Sequence, residues 1–206
     1  MNTIRMRDLT WVVIDTETTG LNPSDGARML EIAMVRLEPG TLEVSDVFTT
    51  LVNPGVPVAA TEIHRITQGE IDIAPSFLEV APAISARLEG CVVVGHNVSF
   101  DWKFLSAEYS LAGLEIPSAP LVCTLEGARQ HLPLERHRLG MCCEHLGISL
   151  EGWHAALADT MATAELAKRL LDLAEAKGKG KLADQAWYSK VIKTEELPQV
   201  RVAARN

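Results

Sequence analysis

Two acidic residues follow a short apolar run near the start of the sequence. The run is Trp11-Val12-Val13-Ile14, and Asp15 and Glu17 come directly after it, in a segment that continues with Thr18, Thr19 and Gly20. Because side chains alternate along a strand, these two carboxylates are predicted to point to the same side of a sheet. Their repulsion would be relieved by a bound cation. The alternative is a polar strand end in which Asp15 caps the turn, and the acid pair alone favours neither.

A second polar segment, His96-Asn97-Val98-Ser99-Phe100-Asp101, follows the apolar run Cys91-Val92-Val93-Val94. Asp101 is predicted to be the N-cap of a helix over residues 102–111, with His96 and Asn97 in a turn. On its own, this segment favours a structural interpretation.

The third segment starts at His154 and leads into a helix predicted over residues 155–176. Asp159 lies on the stripe of this helix that should face the core. The residues that follow it at helical spacing are Ala162, Thr163, Leu166 and Leu170. A carboxylate on such a stripe is unfavourable unless it is paired or binds a metal, and no basic residue lies one turn away. His154 alone would most often be an exposed loop residue or a helix cap.

Together the three segments supply four carboxylates and a histidine, each near a strand end or a helix start. Pairs of divalent cations that serve phosphoryl-transfer hydrolysis are held by several carboxylates. Oxygen ligands favour Mg²⁺ or Mn²⁺ over zinc, and histidine can act as a base near neutral pH. The combination predicts a metal-dependent hydrolytic site.

The remaining pattern predicts the elements that position these residues. Strands are predicted at 11–14, 30–37, 44–52, 91–95 and 121–124, with a hairpin between the second and third. Helices are predicted at 62–68, 77–88, 102–111, 125–131, 139–146 and 155–176. Strands followed by alternating strands and helices predict a mixed α/β sheet with helices on its faces.

Composition limits the classes of function. The net charge of −8 argues against a broad duplex-binding surface, but it is compatible with carboxylates that hold cations. The sequence shows neither a membrane-spanning run nor a secretory signal, which predicts a cytoplasmic protein without a membrane partner. The four cysteines lack C-x-x-C spacing and are predicted to be reduced and mostly buried.

The composition changes at Lys177, where a Lys-Gly-Lys-Gly-Lys stretch is predicted to be a flexible linker. Residues 1–176 are therefore predicted to be the catalytic domain, and residues 177–206 a basic linker and tail that contacts a partner or the substrate. Packing of the tail aromatics against the same chain is an equal alternative.

The ordered set of segments resembles the DnaQ-like, or DEDDh, family of 3′–5′ exonucleases. Its three motifs correspond to Asp15-x-Glu17, His96-Asn-x-x-Phe-Asp101 and His154-x-x-x-x-Asp159, and the resemblance covers residues 11 to about 175. Each motif is weak alone, but the three together in this order are specific. The resemblance implies an α/β, ribonuclease-H-like fold with a mixed central sheet flanked by helices.

The resemblance also implies roles for individual residues. Two Mg²⁺ or Mn²⁺ ions would be bound by Asp15, Glu17, Asp101 and Asp159, and His154 would deprotonate the attacking water. The residues that would contact the terminal nucleotide are Thr16, Thr18, Leu21, His64 and Asn97. The expected substrate is a single-stranded 3′ end, with DNA favoured, and the expected product is a nucleoside 5′-monophosphate. A DNA polymerase and a second copy of the chain are candidate partners.

Three functional interpretations remain open. The pattern is most similar to the proofreading subunit, or exonuclease domain, of bacterial replicative DNA polymerases. Enzymes that trim RNA 3′ ends share the same five residues, and no motif here reports contacts to the 2′ position that would separate RNA from DNA. A catalytically silent module that binds a nucleic-acid end or a polymerase is disfavoured, because all five residues are retained.

Overall fold

The computed structural model describes residues 4–150, 155–182 and 188–189. The strands are β1 (Trp11–Thr18), β2 (Met29–Leu37), β3 (Val44–Leu51), β4 (Val92–Gly95), β5 (Leu121–Cys123) and β6 (Tyr188–Ser189). The helices are α1 (Thr61–His64), α2 (Gln68–Asp72), α3 (Phe77–Leu88), α4 (Val98–Leu111), α5 (Thr124–His131), α6 (Leu139–Leu146) and α7 (Ala156–Ala176).

The strands form one mixed sheet in the order β3-β2-β1-β4-β5-β6. β1 pairs antiparallel with β2 and parallel with β4, while β5 is parallel to β4 and antiparallel to β6. β2 and β3 form the predicted hairpin. The predicted α/β class with a mixed central sheet is therefore confirmed.

The two faces of the sheet are covered by different helices. Along β1, Trp11 and Val13 belong to the core cluster that α7 completes with Leu166, Leu170 and Leu171. Val12 and Ile14 belong to a second cluster, which includes apolar residues of α3 and α4. This alternation follows from the two-residue period of a strand. The same alternation determines which of these helices each polar residue at the end of β1 faces.

Two predicted elements differ in their bounds. β1 does not end at Asp15 but continues to Thr18, because β2 pairs with it along its whole length, with Asp15 opposite Ala33. The single helix predicted over 62–68 is two short helices. Arg65, with φ of 62°, ends α1, and Thr67 starts α2 with a capping box.

The prediction that Asp101 is an N-cap is wrong. α4 begins three residues earlier, at Val98, after Asn97 adopts a left-handed conformation with φ of 72°. Asparagine tolerates this conformation better than most residues do, so the chain turns into the helix directly after β4. Asp101 therefore lies inside the first turns of α4, where it is only 3% exposed.

The predicted flexible linker is wrong for the part that the structure describes. The backbone N–H of Met6 donates to Gly180 O at 2.9 Å, and the N–H of Leu182 donates to Ile4 O at the same distance. Leu182 is buried in the cluster under α7. The division of the chain into a domain and a tail stays a prediction, since residues 183–187 and 190–206 lie outside the described ranges.

Cys91, Cys123, Cys142 and Cys143 are free thiols and buried, as predicted. Among the described helices, none combines the length and apolar character needed to cross a bilayer.

Candidate active site

Three elements bring the predicted carboxylates together. Asp15 and Glu17 continue the face of β1 that carries Trp11 and Val13, and this face packs against α7. Asp159 lies in the first turn of α7 and is 9% exposed. The strand alternation and the helical periodicity therefore direct these side chains into the same space.

Asp101 reaches the same region from α4 and is held there by Thr16. The backbone N–H of Thr16 donates to Asp101 Oδ1 at 3.0 Å, and the Thr16 hydroxyl donates to the same oxygen at 2.9 Å. Thr16 is itself buried. Its two donors position the Asp101 carboxylate rather than pointing to solvent.

The carboxylates perturb one another strongly. Burial raises the pKa of Glu17 to about 7, and the negative charges of Glu31, Asp159 and Asp101 add to this effect. The pKa of Asp15 lies well above its ordinary value, first because of burial and then because of Asp101 and Asp159. Burial also raises the pKa of Asp101 to about 7, although the hydrogen bonds from Thr16 oppose the shift. Like charges held in a poorly solvated space produce this pattern.

Glu31 is a fifth acidic residue at the site, and the sequence analysis missed it. It lies directly opposite Glu17 in the pairing of β1 with β2, next to an irregularity in the register. Its charge contributes to the raised pKa of both Asp15 and Glu17. Once the register of β1 with β2 is known, the position of Glu31 follows, but the sequence alone does not fix that register.

The donor set suits a hard divalent cation. Within the described ranges, no Lys, Arg or His side chain forms an ion pair with Asp15, Glu17 or Asp101. Carboxylate oxygens are the ligands that Mg²⁺ and Mn²⁺ prefer. No three acidic, His or Cys side chains in that part of the chain stand in a closed coordinating arrangement. The carboxylates form a loose cluster, which is the arrangement expected of like charges that repel.

The predicted nucleotide contacts occupy different environments. Leu21 is 82% exposed in the loop after β1, and the Thr18 hydroxyl donates to Gly20 O at the start of that loop. Asn97 is exposed at the start of α4. His64 is buried, with Nε2 2.8 Å from Ala59 O and Nδ1 accepting from the Ile66 N–H at 3.0 Å. Leu21 and Asn97 are therefore the side chains of this set that are exposed to a ligand.

An ion pair that the sequence analysis also missed holds the loop after β1 in place. Arg28 donates through Nε and Nη2 to the two carboxylate oxygens of Glu108, each at 2.8 Å. Glu108 is 2% exposed and also accepts from the Met29 N–H. At the other end of the loop, Lys103 donates to Leu21 O at 3.1 Å. Lys103 and Glu108 both belong to α4, so the helix that carries Asp101 also supports this loop.

His154, the predicted general base, lies outside the described residues. The structure describes α7 from Ala156 onward, with Ala155 as its N-cap residue. The assignment of His154 stays a prediction.

A family model described as "Exonuclease", of the RNase T type, matches residues 12–167. The chain belongs to this exonuclease family. The matched range contains all three segments that carry the predicted site, together with strands β2 to β5 and β1 from its second residue. The resemblance stated from the motifs is thereby confirmed.

Two curated relatives of this chain carry names that refer to DNA polymerase III. The chain is 41% identical over 174 residues to a "DNA polymerase III subunit epsilon-like protein" of Rhodobacter capsulatus, covering 82% of this chain and 25% of the relative. It is 37% identical over 165 residues to "DNA polymerase III PolC-type" of Bacillus cereus, covering 79% of this chain and 11% of the relative. The chain thus spans only a small part of these relatives.

Solved exonuclease structures share the fold. Exonuclease X in complex with 5′ overhanging duplex DNA superposes with a TM-score of 0.63 at 27% identity, covering 82% of this chain and 93% of the other. The nuclease domain of 3′hExo, a DEDDh family member bound to rAMP, gives a TM-score of 0.71 at 22% identity. The match covers 84% of this chain and 94% of the other. The predicted ribonuclease-H-like exonuclease fold of the DEDDh type is confirmed.

Proposed function

We propose that this chain is a metal-dependent 3′–5′ exonuclease that releases nucleoside 5′-monophosphates from single-stranded DNA ends. The observation that carries the proposal is the acidic cluster, in which Asp15, Glu17, Asp101 and Asp159 arrive from β1, α4 and α7. Their charges act on one another across these elements. A fold does not need such mutual repulsion for stability, so the cluster is better explained by a cationic ligand.

Two Mg²⁺ or Mn²⁺ ions are the cofactors of the proposal, with the same four carboxylates as ligands. When bound, such cations act as Lewis acids that activate water and stabilise the departing oxygen of a phosphodiester. Their charge would also offset the repulsion among the acids. The carboxylates would turn toward the cations from the looser positions that they hold here.

The protein side chains supply positioning and proton transfer. Thr16 fixes the angle of the Asp101 carboxylate through its two hydrogen bonds. The exposed Leu21 would contact the terminal nucleoside, in a loop held by Lys103 and by the pair of Arg28 with Glu108. His154, five residues before Asp159, would accept the proton of the attacking water, because an imidazole titrates near neutral pH.

DNA is the proposed substrate because the curated relatives are named for DNA polymerase III and the Exonuclease X complex contains DNA. The same names support a DNA polymerase as the partner. The 3′hExo domain is described with rAMP bound, so RNA is the alternative that the assay has to include. A second copy of the chain as partner and a cytoplasmic location stay predictions.

The test is hydrolysis of matched 5′-labelled DNA and RNA oligonucleotides with Mg²⁺ or Mn²⁺, and then with excess EDTA. We expect a ladder of products shortened from the 3′ end, faster on DNA, and no products in the chelator. Asp159→Asn should abolish hydrolysis. Asp172→Asn is the matched control, because it makes the same change on α7 at an exposed carboxylate paired with Arg7.

Two results would contradict the proposal. Cleavage that persists in EDTA would exclude a metal-dependent mechanism. Intact substrate with every cation, from a protein that still binds the oligonucleotide, would support the silent binding module instead. Faster hydrolysis of RNA would keep the chemistry and change the substrate.

A further inference from the structure

A cleft opens at the carboxyl ends of the parallel strands β4 and β5, and the nucleolytic chemistry does not use it. It has a volume of about 400 Å³ and is formed by α5 and the loop that leads into α6. Its lining includes Arg129, Arg136 and Arg138 together with His96, His137 and Glu135. In open α/β sheets, ligands bind outside the carboxyl ends of the strands. The position of the cleft is therefore that of a binding site.

His96 forms the floor of the cleft and fixes its shape. One ring nitrogen, Nε2, donates to His137 O at 2.8 Å, and Nδ1 lies 3.0 Å from the Thr124 hydroxyl. These contacts fasten the loop of residues 135–138 to the ends of β4 and β5. Burial lowers the pKa of His96, although the hydrogen bond to His137 O opposes the shift. His96 is thus a partly buried anchor beneath a positively charged rim.

The rim carries more positive than negative charge, in a chain whose net charge is −8. Arg129 is 54% exposed and forms an ion pair with Glu126, one turn away on α5. In the described part of the chain, Arg136 and Arg138 form no ion pair with an acidic residue. A guanidinium group donates several hydrogen bonds in a geometry that matches phosphate oxygens. Two unneutralised arginines beside each other therefore favour a phosphate group.

The cleft adjoins the acidic cluster along the chain. His96 is followed directly by Asn97, which precedes α4, and the first turns of α4 carry Asp101. If the terminal phosphodiester of a strand lies at the carboxylates, the next phosphates lie nearby and are negative charges that the acidic cluster repels. Arginines at the neighbouring strand ends would offset that repulsion.

We propose that this cleft binds the phosphodiester backbone of the single-stranded nucleic acid upstream of its 3′ end, with Arg136 and Arg138 as the phosphate contacts. The assignment rests on the proposed function for its orientation, since the 3′ end is placed at the acidic cluster. Contacts to phosphates carry no sequence information. The cleft would therefore raise the affinity for longer strands without preference for any base.

The test compares the wild type with Arg136→Gln/Arg138→Gln in two assays. Fluorescence anisotropy with a labelled oligothymidylate, in EDTA to prevent hydrolysis, should show binding weakened by about tenfold or more. The slope of log K against log salt should fall by about 1.4, since each lost phosphate contact removes about 0.7. In hydrolysis, KM for a long strand should rise while kcat and the hydrolysis of a dinucleotide stay unchanged.

Three controls isolate the cleft. Arg5→Gln/Arg169→Gln removes the same charge from two exposed arginines on other elements and should leave affinity nearly unchanged. Glu135→Gln removes the acidic group from the cleft and should tighten binding by roughly two- to threefold. An oligonucleotide with a neutral methylphosphonate backbone should bind the wild type and the cleft variant equally. Each variant must unfold at the wild-type temperature.

The outcomes separate this proposal from the proposed function. If the wild type hydrolyses DNA but the cleft variant keeps its affinity and salt slope, the cleft assignment is wrong and the exonuclease assignment stands. If the wild type hydrolyses no strand but the cleft substitutions weaken its binding, the exonuclease assignment is wrong and the cleft assignment stands. Equal losses in the cleft variant and in Arg5→Gln/Arg169→Gln would show a general charge effect and overturn the assignment.

Discussion

The ion pair between Arg28 and Glu108 joins the loop after β1 to α4, and its removal gives the sharpest test of how the site is supported. The perturbation is Arg28→Met, which keeps much of the side-chain length and removes the charge. It leaves the Glu108 carboxylate, 2% exposed, with the Met29 N–H as its remaining described donor. It also removes the donor to Pro54 O at 2.7 Å.

The expected cost follows from burial. Breaking a buried pair by removing one partner costs about 3–5 kcal/mol, because an uncompensated charge remains. The Arg28 side chain is still 24% exposed, so we expect the lower end, about 3 kcal/mol. For a chain of this size, that corresponds to a fall in the unfolding midpoint of roughly 6–12 °C. A loss of this kind is a large part of a typical folding free energy.

The assay is thermal and urea unfolding of three variants beside the wild type. Arg169→Met is the matched control, because Arg169 pairs with Glu165 on the exposed surface of α7 and should cost at most about 0.5 kcal/mol. The double variant Arg28→Met/Glu108→Met removes both charges and should be more stable than Arg28→Met alone. Equal shifts for Arg28→Met and Arg169→Met would refute the reasoning, as would a double variant less stable than the single.

Three further predictions concern the acidic cluster, the base and the end of the described chain. Glu17→Gln should stabilise the metal-free protein in thermal unfolding, with a gain that grows as pH rises from 4.5 to about 7. The gain grows with pH because a carboxyl with a raised pKa stabilises the fold at low pH and loses that contribution as it ionises. A gain that does not depend on pH would contradict the raised pKa of Glu17. His154→Ala should lower turnover by roughly 10²–10⁴-fold and remove the rise of the pH–rate profile, with metal affinity kept; wild-type turnover near neutral pH would exclude it as the base. A chain cut after Ala176 should unfold at lower urea than one cut after Ser189, because only the longer chain keeps the buried Leu182 and its hydrogen bond to Ile4; equal midpoints would show that these contacts contribute nothing.

Local periodicity predicted part of the site, and long-range pairing decided the rest. The placement of Asp15 with Glu17 on one face needs only strand alternation, and the inward position of Asp159 needs only helical spacing. The link from Glu108 to Arg28 spans 80 residues, and no local rule reports it. Asp101 was misplaced as a cap because the start of α4 depends on the left-handed turn at Asn97.

The packing of α7 against β1 has a consequence for how the protein is made. Trp11 and Val13 of β1 cannot be fully buried until α7 is synthesised, since Leu170 and its neighbours complete their cluster. Contacts between distant parts of a chain also slow folding. Asp159 arrives with the same helix. A nascent chain therefore acquires Asp159, the last of the four proposed ligands, only together with the helix that closes this core, so that a partly made chain would lack part of the proposed site.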